Sequence, residues 1–250
     1  MAALKRRRKT LRTIYPHGAE IEYYRALKNA IDIWFRDSFT PIKTARLDAD
    51  SYHADGPFDA IFDAARNNWE SVSTALTQVA RRVASQVERT VNRSINRQIE
   101  QQDLSLNLAR GFIPFGEIQG QVDDFVRQNA ALIKDIGEQA ARNIEREVID
   151  AVAKGTSTKK LAKIIKEQQE MTTNRAKLIA RDQIGKLNGQ LNKTRQKAAG
   201  FDKYQWQTMQ DKRVRPKHQA LQGDIRTWGE GIEPGQEVAC RCAPIPFWED

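Results

Sequence analysis

Residues 58–102 read FDAIFDAARNNWESVSTALTQVARRVASQVERTVNRSINRQIEQQ, and this stretch decides the fold class. Apolar side chains recur in it at three- and four-residue spacing, with no proline or glycine to interrupt them. Such spacing places the side chains on one face of a helix. They are Phe58, Ile61, Phe62, Ala65, Trp69, Val72, Leu76, Val79, Val83, Val87, Val91, Ile95 and Ile99. At about 1.5 Å per residue the helix would be roughly 65 Å long, which predicts a bundled or coiled-coil-like architecture.

Helical patterns also lie on both sides of this stretch. Upstream, apolar periodicity predicts a helix from Glu20, followed by a loop over 38–57. Downstream, a break that contains glycine and proline precedes a helix over about 117–154. The threonines and serine at 156–158 offer a cap for a short helix, and a further helix is expected over about 172–200.

The chain changes character after residue 200. Residues 203–209 alternate aromatic and polar side chains, which predicts a strand. Pro216 suits the first turn of a short helix, and further short strands are expected within 224–228 and 240–246. The predicted fold class is therefore mainly α with a small α+β C-terminal module, and with long amphipathic helices in the N-terminal two-thirds.

The same patterns predict four regions along the chain. Residues 1–18 form a basic arm, and residues 19–113 form an N-terminal helical region with one long helix. Residues 114–200 are helical and basic toward their end, and residues 201–250 form the small α+β module.

Positive charge is concentrated in two segments of this 250-residue chain, whose net charge is +9. Residues 1–12 carry six Lys or Arg and no acid, and residues 154–203 carry 13 basic and four acidic side chains. This asymmetry indicates a polyanionic partner, with nucleic acid the commonest case, or else a solvated helical face and a basic tail. The candidate DNA-binding residues are Lys5, Arg6, Arg7, Arg8, Lys9, Lys159, Lys160, Lys163, Lys186 and Lys193.

Several protein classes are not expected. No apolar run approaches the roughly 20 residues that a membrane span needs, and the basic N-terminus is not followed by the apolar core of a signal peptide. Two cysteines are too few for a disulfide framework, which favours a reducing cytoplasm or a particle assembled there. Phosphate-binding, dinucleotide-binding and serine-hydrolase motifs are absent from the sequence.

His218, Cys240 and Cys242 are the candidate metal ligands. Zinc accepts His nitrogen and Cys sulfur, and residues two apart in an extended segment point to the same side. Asp211 or Asp224 is a candidate fourth ligand. Because that fourth ligand is only a guess, a buried Cys pair beside a hydrogen-bonded histidine is the preferred interpretation. No cofactor is expected on this view, and zinc is the alternative.

The run from Asp211 to His218 raises the question of catalysis. His218 could act as a general acid or base, and Arg213 with Arg215 could stabilise a phosphorane. The other histidine in a folded-looking region, His53, is in a predicted loop, and no paired-histidine or carboxylate-cluster spacing appears. A non-enzyme is therefore predicted. The alternative is a metal-independent nuclease or phosphoryl-transfer domain centred on His218 and Arg213.

Over about 175–246, the order and spacing of these elements resemble the phage Mu F-like minor head protein family, also called head morphogenesis proteins. The element Asp-x-Arg-Val-Arg-Pro-x-His followed by Cys-Arg-Cys is specific to it. The chain departs from the family's pattern at Asp182-Gln183, where Thr-Glu is common, and at Ala239, where Asn is common. The signature residues, expected to be structural, are Tyr204, Trp206, Asp211, Arg213, Arg215, Pro216, His218, Gly223, Cys240, Arg241 and Cys242.

The resemblance implies a minor capsid protein of a tailed bacteriophage or prophage. Such proteins associate with the portal and the inner head, and they aid head assembly and DNA packaging or delivery. The implied partners are the portal protein, the major capsid or scaffolding protein, and double-stranded DNA without sequence specificity, with no membrane. The implied location is the virion, inside the head near the portal, after assembly in the host cytoplasm.

Overall fold

The computed structural model of the chain describes residues 14–44, 57–101, 115–154 and 156–247. Four long helices come first among them: α1 (His17–Thr44), α2 (Pro57–Gln101), α3 (Phe115–Ala153) and α4 (Thr158–Ala198). They are followed by β1 (Lys203–Gln207), the short helix α5 (Pro216–Gln219), β2 (Ile225–Thr227) and β3 (Ala243–Phe247). The predicted fold class, mainly helical with a small α+β part at the C-terminal end, is confirmed.

Helix α2 follows its predicted course within one residue at each end. Ten of the thirteen residues of the predicted apolar stripe are buried, and Ile61, Val72 and Val79 are half-buried. A helix of 45 residues forms here because the stripe continues without a helix breaker and finds apolar partners along its whole length.

Two sequence-based predictions about helix ends are wrong. Helix α1 does not stop at residue 38 but continues through Pro41 to Thr44, because Phe39 and Ile42 are both fully buried and hold its last turn. The predicted break before Thr172 is absent. The Thr172 hydroxyl does not cap a new helix there but donates to the Gln168 carbonyl four residues earlier, at 2.6 Å, so α4 is continuous.

The described residues group into two compact units, each built from several chain segments. The bundle unit comprises 21–44, 57–82, 126–154 and 156–180, and the module unit comprises 14–20, 83–101, 115–125 and 181–247. None of the described helices has the length and apolar character needed to cross a membrane.

The bundle unit is a helical bundle around an aromatic core. Trp34 and Trp69 lie with ring centroids 4.8 Å apart, and both are almost fully buried. Trp34 Nε1 donates to the Ala65 carbonyl at 2.9 Å, and Trp69 Nε1 donates to the Ile133 carbonyl at 3.0 Å. These bonds satisfy the polar atoms of the two indoles while their rings fill the core.

Gly137 of α3 makes room for the Trp69 ring in the same unit. A Cβ atom at Gly137 would lie 2.2 Å from ring carbons of Trp69. The glycine therefore allows α3 to approach the indole more closely than any other residue could.

The module unit holds a three-stranded antiparallel sheet in the order β2-β1-β3. Strand β1 pairs with β3 from Lys203 opposite Phe247 to Gln207 opposite Ala243. The central strand buries Tyr204 and Trp206, which pack with Trp228 and the two cysteines. The alternation of buried and half-buried residues along β1 is the pattern from which the strand was predicted.

Candidate functional site

Three side chains that are far apart in sequence meet in the module unit. His218 Nδ1 lies 3.6 Å from Cys240 Sγ and 3.5 Å from Cys242 Sγ. The three side chains are buried, with exposed fractions of 2%, 3% and 4%. One potential ligand atom from each lies within 4.8 Å of the others, so the structure brings together the set that the sequence singled out as metal ligands.

Helix α5 and the segment before β3 position these groups. Pro216 occupies the first turn of α5 and directs the chain from the extended Arg215 into the turn that carries His218. The His218 ring packs edge-on against Trp206 of β1, with centroids 5.4 Å apart. Cys240 and Cys242 flank Arg241 immediately before β3, so pairing of β3 with β1 fixes their position.

Glu237 is the residue of this site that the sequence analysis missed. Its Oε2 atom lies 2.8 Å from His218 Nε2. A carboxylate only accepts hydrogen bonds, so Nε2 carries a proton, and Nδ1 is the ring nitrogen that faces the two sulfurs. Lys217 lowers the pKa of Glu237, and His218 adds to this effect, so the carboxylate stays ionised. A single glutamate in an irregular loop carries no periodicity or motif by which it could have been found.

The two thiols differ in acidity. A hydrogen bond between them lowers the pKa of Cys240 and raises that of Cys242. The backbone N–H of Gly235 also points at Cys240 Sγ, 3.4 Å away, and favours the thiolate there. One member of the pair therefore ionises more readily than an ordinary buried thiol.

A pocket of about 150 Å³ adjoins the cluster. Four arginines line it together with the histidine and both cysteines; they are Arg181, Arg213, Arg215 and Arg241. One guanidinium nitrogen of Arg241, Nη2, contacts both carboxylate oxygens of Asp211, at 2.8 and 2.7 Å, and Arg181 faces Glu20 at 3.5 Å. The Asp211–Arg241 pair ties the turn after β1 to the Cys-x-Cys segment, which gives both signature residues a structural role.

The remaining signature residues shape the turns around this pocket. Gly223 has a φ of 89°, a left-handed conformation that favours glycine, and its N–H donates to the Trp206 carbonyl at 2.8 Å. Arg215 donates to the Val238 carbonyl. Arg213 is exposed, and its guanidinium makes no ion pair within the part of the chain that the structure describes.

Helix α4 approaches the cysteine-bearing loop backbone to backbone. A Cβ atom at Gly185 would lie 2.3 Å from the Cys240 carbonyl oxygen, and one at Gly189 would lie 2.2 Å from the Pro234 carbonyl oxygen. Gly235 has a φ of 84° and faces the Gly185 carbonyl. Because Gly185 and Gly189 are four residues apart in α4, they form one narrow face of the helix on which the loop rests.

The two positions at which the chain departs from the family's pattern contact each other. The backbone N–H of Ala239 donates to Asp182 Oδ1 at 2.9 Å. Ala239 has a φ of 54°, the left-handed region that asparagine tolerates better than alanine. The aspartate at 182 therefore anchors a turn whose alanine is conformationally unfavourable.

The substitution Ala239→Asn is expected to raise the free energy of unfolding by about 1 kcal/mol, since a left-handed alanine costs about 1–2 kcal/mol. Urea denaturation followed by circular dichroism measures the change. Ala220→Asn is the matched control, because Ala220 has a φ of −62° and gains nothing from asparagine there. Equal effects of the two substitutions would contradict the assignment of strain to Ala239.

The candidate DNA-binding lysines fall into two groups. Lys159, Lys160 and Lys163 are exposed near the start of α4. Lys186 and Lys193 are instead half-buried and bind carboxylates: Lys186 lies 2.7 Å from Asp182, and Lys193 lies 2.7 Å from Glu233. The basic residues Lys5, Arg6, Arg7, Arg8 and Lys9, and also His53, lie outside the described residues.

Comparison with known proteins gives a family match and two partial relatives. Residues 142–245 match a family model described as Phage Mu protein F like protein. The chain is 34% identical over 137 residues to an uncharacterized protein of Haemophilus influenzae, a match that covers 53% of this chain and 31% of that protein. It is 31% identical over 135 residues to an uncharacterized protein of Methanocaldococcus jannaschii, covering 50% of this chain and 21% of that protein. The chain thus spans a third or less of these curated relatives, and no solved structure matches it significantly.

Proposed function

Because residues 142–245 match the model of the Phage Mu protein F like family, we propose that the chain is a minor capsid (head morphogenesis) protein of a tailed bacteriophage or prophage. The match, which confirms the predicted resemblance, is the observation that carries the proposal. In the proposed role the protein lies inside the head near the portal, contacts the portal and the major capsid or scaffolding protein, and aids head assembly and DNA packaging or delivery. It is assembled in the bacterial host cytoplasm.

Imaging of assembled particles tests this role. The chain, carrying a small tag for gold labelling, is expressed from the phage genome that encodes it. We expect label inside the head at the single portal vertex. Particles of normal composition that lack the chain would overturn the proposal.

Sequence-independent contact with double-stranded DNA is part of the proposal, and the exposed lysines of α4 support it. Lys159 and Lys160 make no ion pair with any of the described residues, and Lys163 has a side chain that is 77% exposed. Compact cations on flexible stems suit phosphate contacts that do not read bases. Lys186 and Lys193 are less suited, because carboxylates already neutralise them.

Replacing Lys159, Lys160 and Lys163 together with glutamine is expected to weaken DNA binding most strongly at low salt. If each lysine contacts one phosphate, the slope of log K against log salt should fall by about 0.9 per lost contact. Fluorescence anisotropy with a duplex of arbitrary sequence, repeated over a range of salt concentrations, measures this slope.

The matched control replaces Lys134, Arg142 and Arg146 with glutamine, which removes the same charge from exposed positions of α3 in the same unit. We expect its salt slope to stay close to that of the unchanged chain. If both triple variants have the same salt slope, the effect comes from net charge alone. The lysines of α4 are then not the contact site.

The geometry gives less support to the alternative nuclease function. A general acid or base must reach the substrate, yet His218 is 2% exposed and both of its ring nitrogens face protein groups. Arg213, the other residue of that hypothesis, is exposed and contributes no buried contact to the His218 cluster. Absence of cleavage of DNA or RNA by the purified chain, and no change on Arg213→Ala, are the expected results.

A further inference from the structure

We propose that His218, Cys240 and Cys242 bind a zinc ion, with a water molecule from the adjoining pocket as the fourth ligand. The proposal goes beyond the capsid function and does not depend on it. It rests on the distances between the ligand atoms, the orientation of the histidine, and the balance of protons and charge at a buried site.

The distances fit a tetrahedral ion. Zinc bonds of about 2.3 Å to sulfur and about 2.0–2.1 Å to nitrogen put an S and an N ligand about 3.6 Å apart in a tetrahedron. The two observed separations from His218 Nδ1 to the sulfurs are 3.6 and 3.5 Å. Two independent separations therefore match the edge length that the ion would impose.

Three potential ligand atoms converge in this cluster. His218 Nε2 donates to Glu237, and in the neutral ring Nδ1 then has one lone pair in the ring plane. Two thiols converge on that lone pair, and only one of them can donate to it along its axis. The other thiol can donate only to the neighbouring sulfur, whereas a cation between the three atoms would accept a lone pair from each.

The surroundings resemble the outer shell of a zinc site. A ligating histidine usually donates its other N–H to a carboxylate, which fixes its orientation, and Glu237 accepts that bond here. The Gly235 N–H, 3.4 Å from Cys240 Sγ, stabilises a thiolate. The cysteines are buried on the core side, where Trp206 and Tyr204 exclude water.

The net charge of the site and its access to water are both consistent with three protein ligands. When both thiols release their protons to solvent, two thiolates and a neutral imidazole leave the zinc site with no net charge, which lowers the cost of burial. Within the described residues, no further His, Cys, Asp or Glu joins the cluster. The pocket borders all three ligands, so a water molecule can complete the tetrahedron from that side.

Metal content of the full chain gives the first test. Protein produced in zinc-supplemented medium and passed through metal-free buffer should retain about one zinc per chain by mass spectrometry. The double variant Cys240→Ser/Cys242→Ser should retain less than about a tenth of that, since it loses both thiolates. Unchanged zinc content in this variant, or none in the parent chain, would overturn the proposal.

A matched pair of glutamate variants keeps the test decisive if the cysteine variant fails to fold. Glu237→Gln retains all three ligands and should weaken zinc binding by about 10–100-fold, measured by competition with a chromogenic chelator. Glu233 lies in the same loop but binds Lys193, so the substitution Glu233→Gln should leave the zinc affinity unchanged. Equal affinities for the two variants would show that Glu237 does not support a metal ligand.

Cobalt substitution tests the fourth ligand. Co²⁺ at the site should show thiolate-to-metal charge-transfer absorption together with the visible bands of four-coordinate cobalt. Azide, which replaces bound water, should shift the visible bands. Bands that azide leaves unchanged would show a closed site and refute the water ligand, and loss of the charge-transfer absorption in Cys240→Ser/Cys242→Ser is expected.

Discussion

Trp69→Ala is expected to lower the free energy of unfolding by about 3–5 kcal/mol, one of the largest effects for a single substitution in the bundle unit. The indole is 2% exposed, and it packs against Trp34 and the glycine-lined surface of α3. Its removal leaves a cavity and also two carbonyls, those of Ile133 and Lys134, without their side-chain donor. Urea denaturation followed by circular dichroism measures the loss.

The neighbouring Gly137 makes the test specific. Gly137→Ala alone is expected to cost about 1–3 kcal/mol, because its Cβ would meet the indole. In the Trp69→Ala background the same change should cost nothing, or should stabilise by up to about 1 kcal/mol, since alanine favours the helix. Additive effects of the two substitutions would contradict direct packing between them.

Asn68→Ala is the control for the tryptophan substitution. Asn68 precedes Trp69 in α2 and is exposed, so the change should stay within about 0.5 kcal/mol. A loss as large as that of Trp69→Ala would indicate that α2 itself, rather than the indole, is sensitive at this point.

Gly189→Ala is expected to destabilise the module unit by about 1–3 kcal/mol or more and to expose its cysteines. The added Cβ would lie 2.2 Å from the Pro234 carbonyl oxygen and 3.3 Å from Gly235 Cα. These are backbone atoms, so the loop can relieve the clash only by moving away from α4. Because the loop leads directly to Cys240, the rate of thiol labelling should rise together with the loss of stability.

Gly120→Ala is the matched control in α3. It also replaces a helical glycine of the module unit, but nothing lies within 4 Å of its added Cβ. Alanine should therefore raise the stability by up to about 1 kcal/mol and leave thiol labelling unchanged. A stabilising effect of Gly189→Ala would show that the loop does not rest on this face.

Long helices that pack on one side carry a long apolar stripe in their sequence. Much of the architecture could therefore be predicted. The positions of α2, α3 and the sheet strands follow from such local patterns. Two predicted helix ends are wrong because packing overrides a local signal there. Pro41 suggested a loop and Thr172 a cap, yet neighbouring buried side chains kept both residues within helices.

The candidate site could be predicted only in its most distinctive residues. His218, Cys240 and Cys242 drew attention by their rarity, and the structure places them together. The partner of the histidine, Glu237, could not be found, because nothing in a loop sequence indicates which carboxylate will reach a given ring. Nor could the number of charged residues show which lysines are free to bind a partner. Lys160 is exposed, whereas Glu233 neutralises the charge of Lys193.

Strand β3 has a consequence for how the protein associates with others. It forms one edge of the sheet, and two of its five residues, Pro244 and Pro246, have no N–H to offer a further strand. The opposite edge, β2, is only three residues long. The sheet is therefore protected against growth by strand addition. At high local concentration, this protection would disfavour self-association through β-structure and leave helices and loops as the surfaces for recognition.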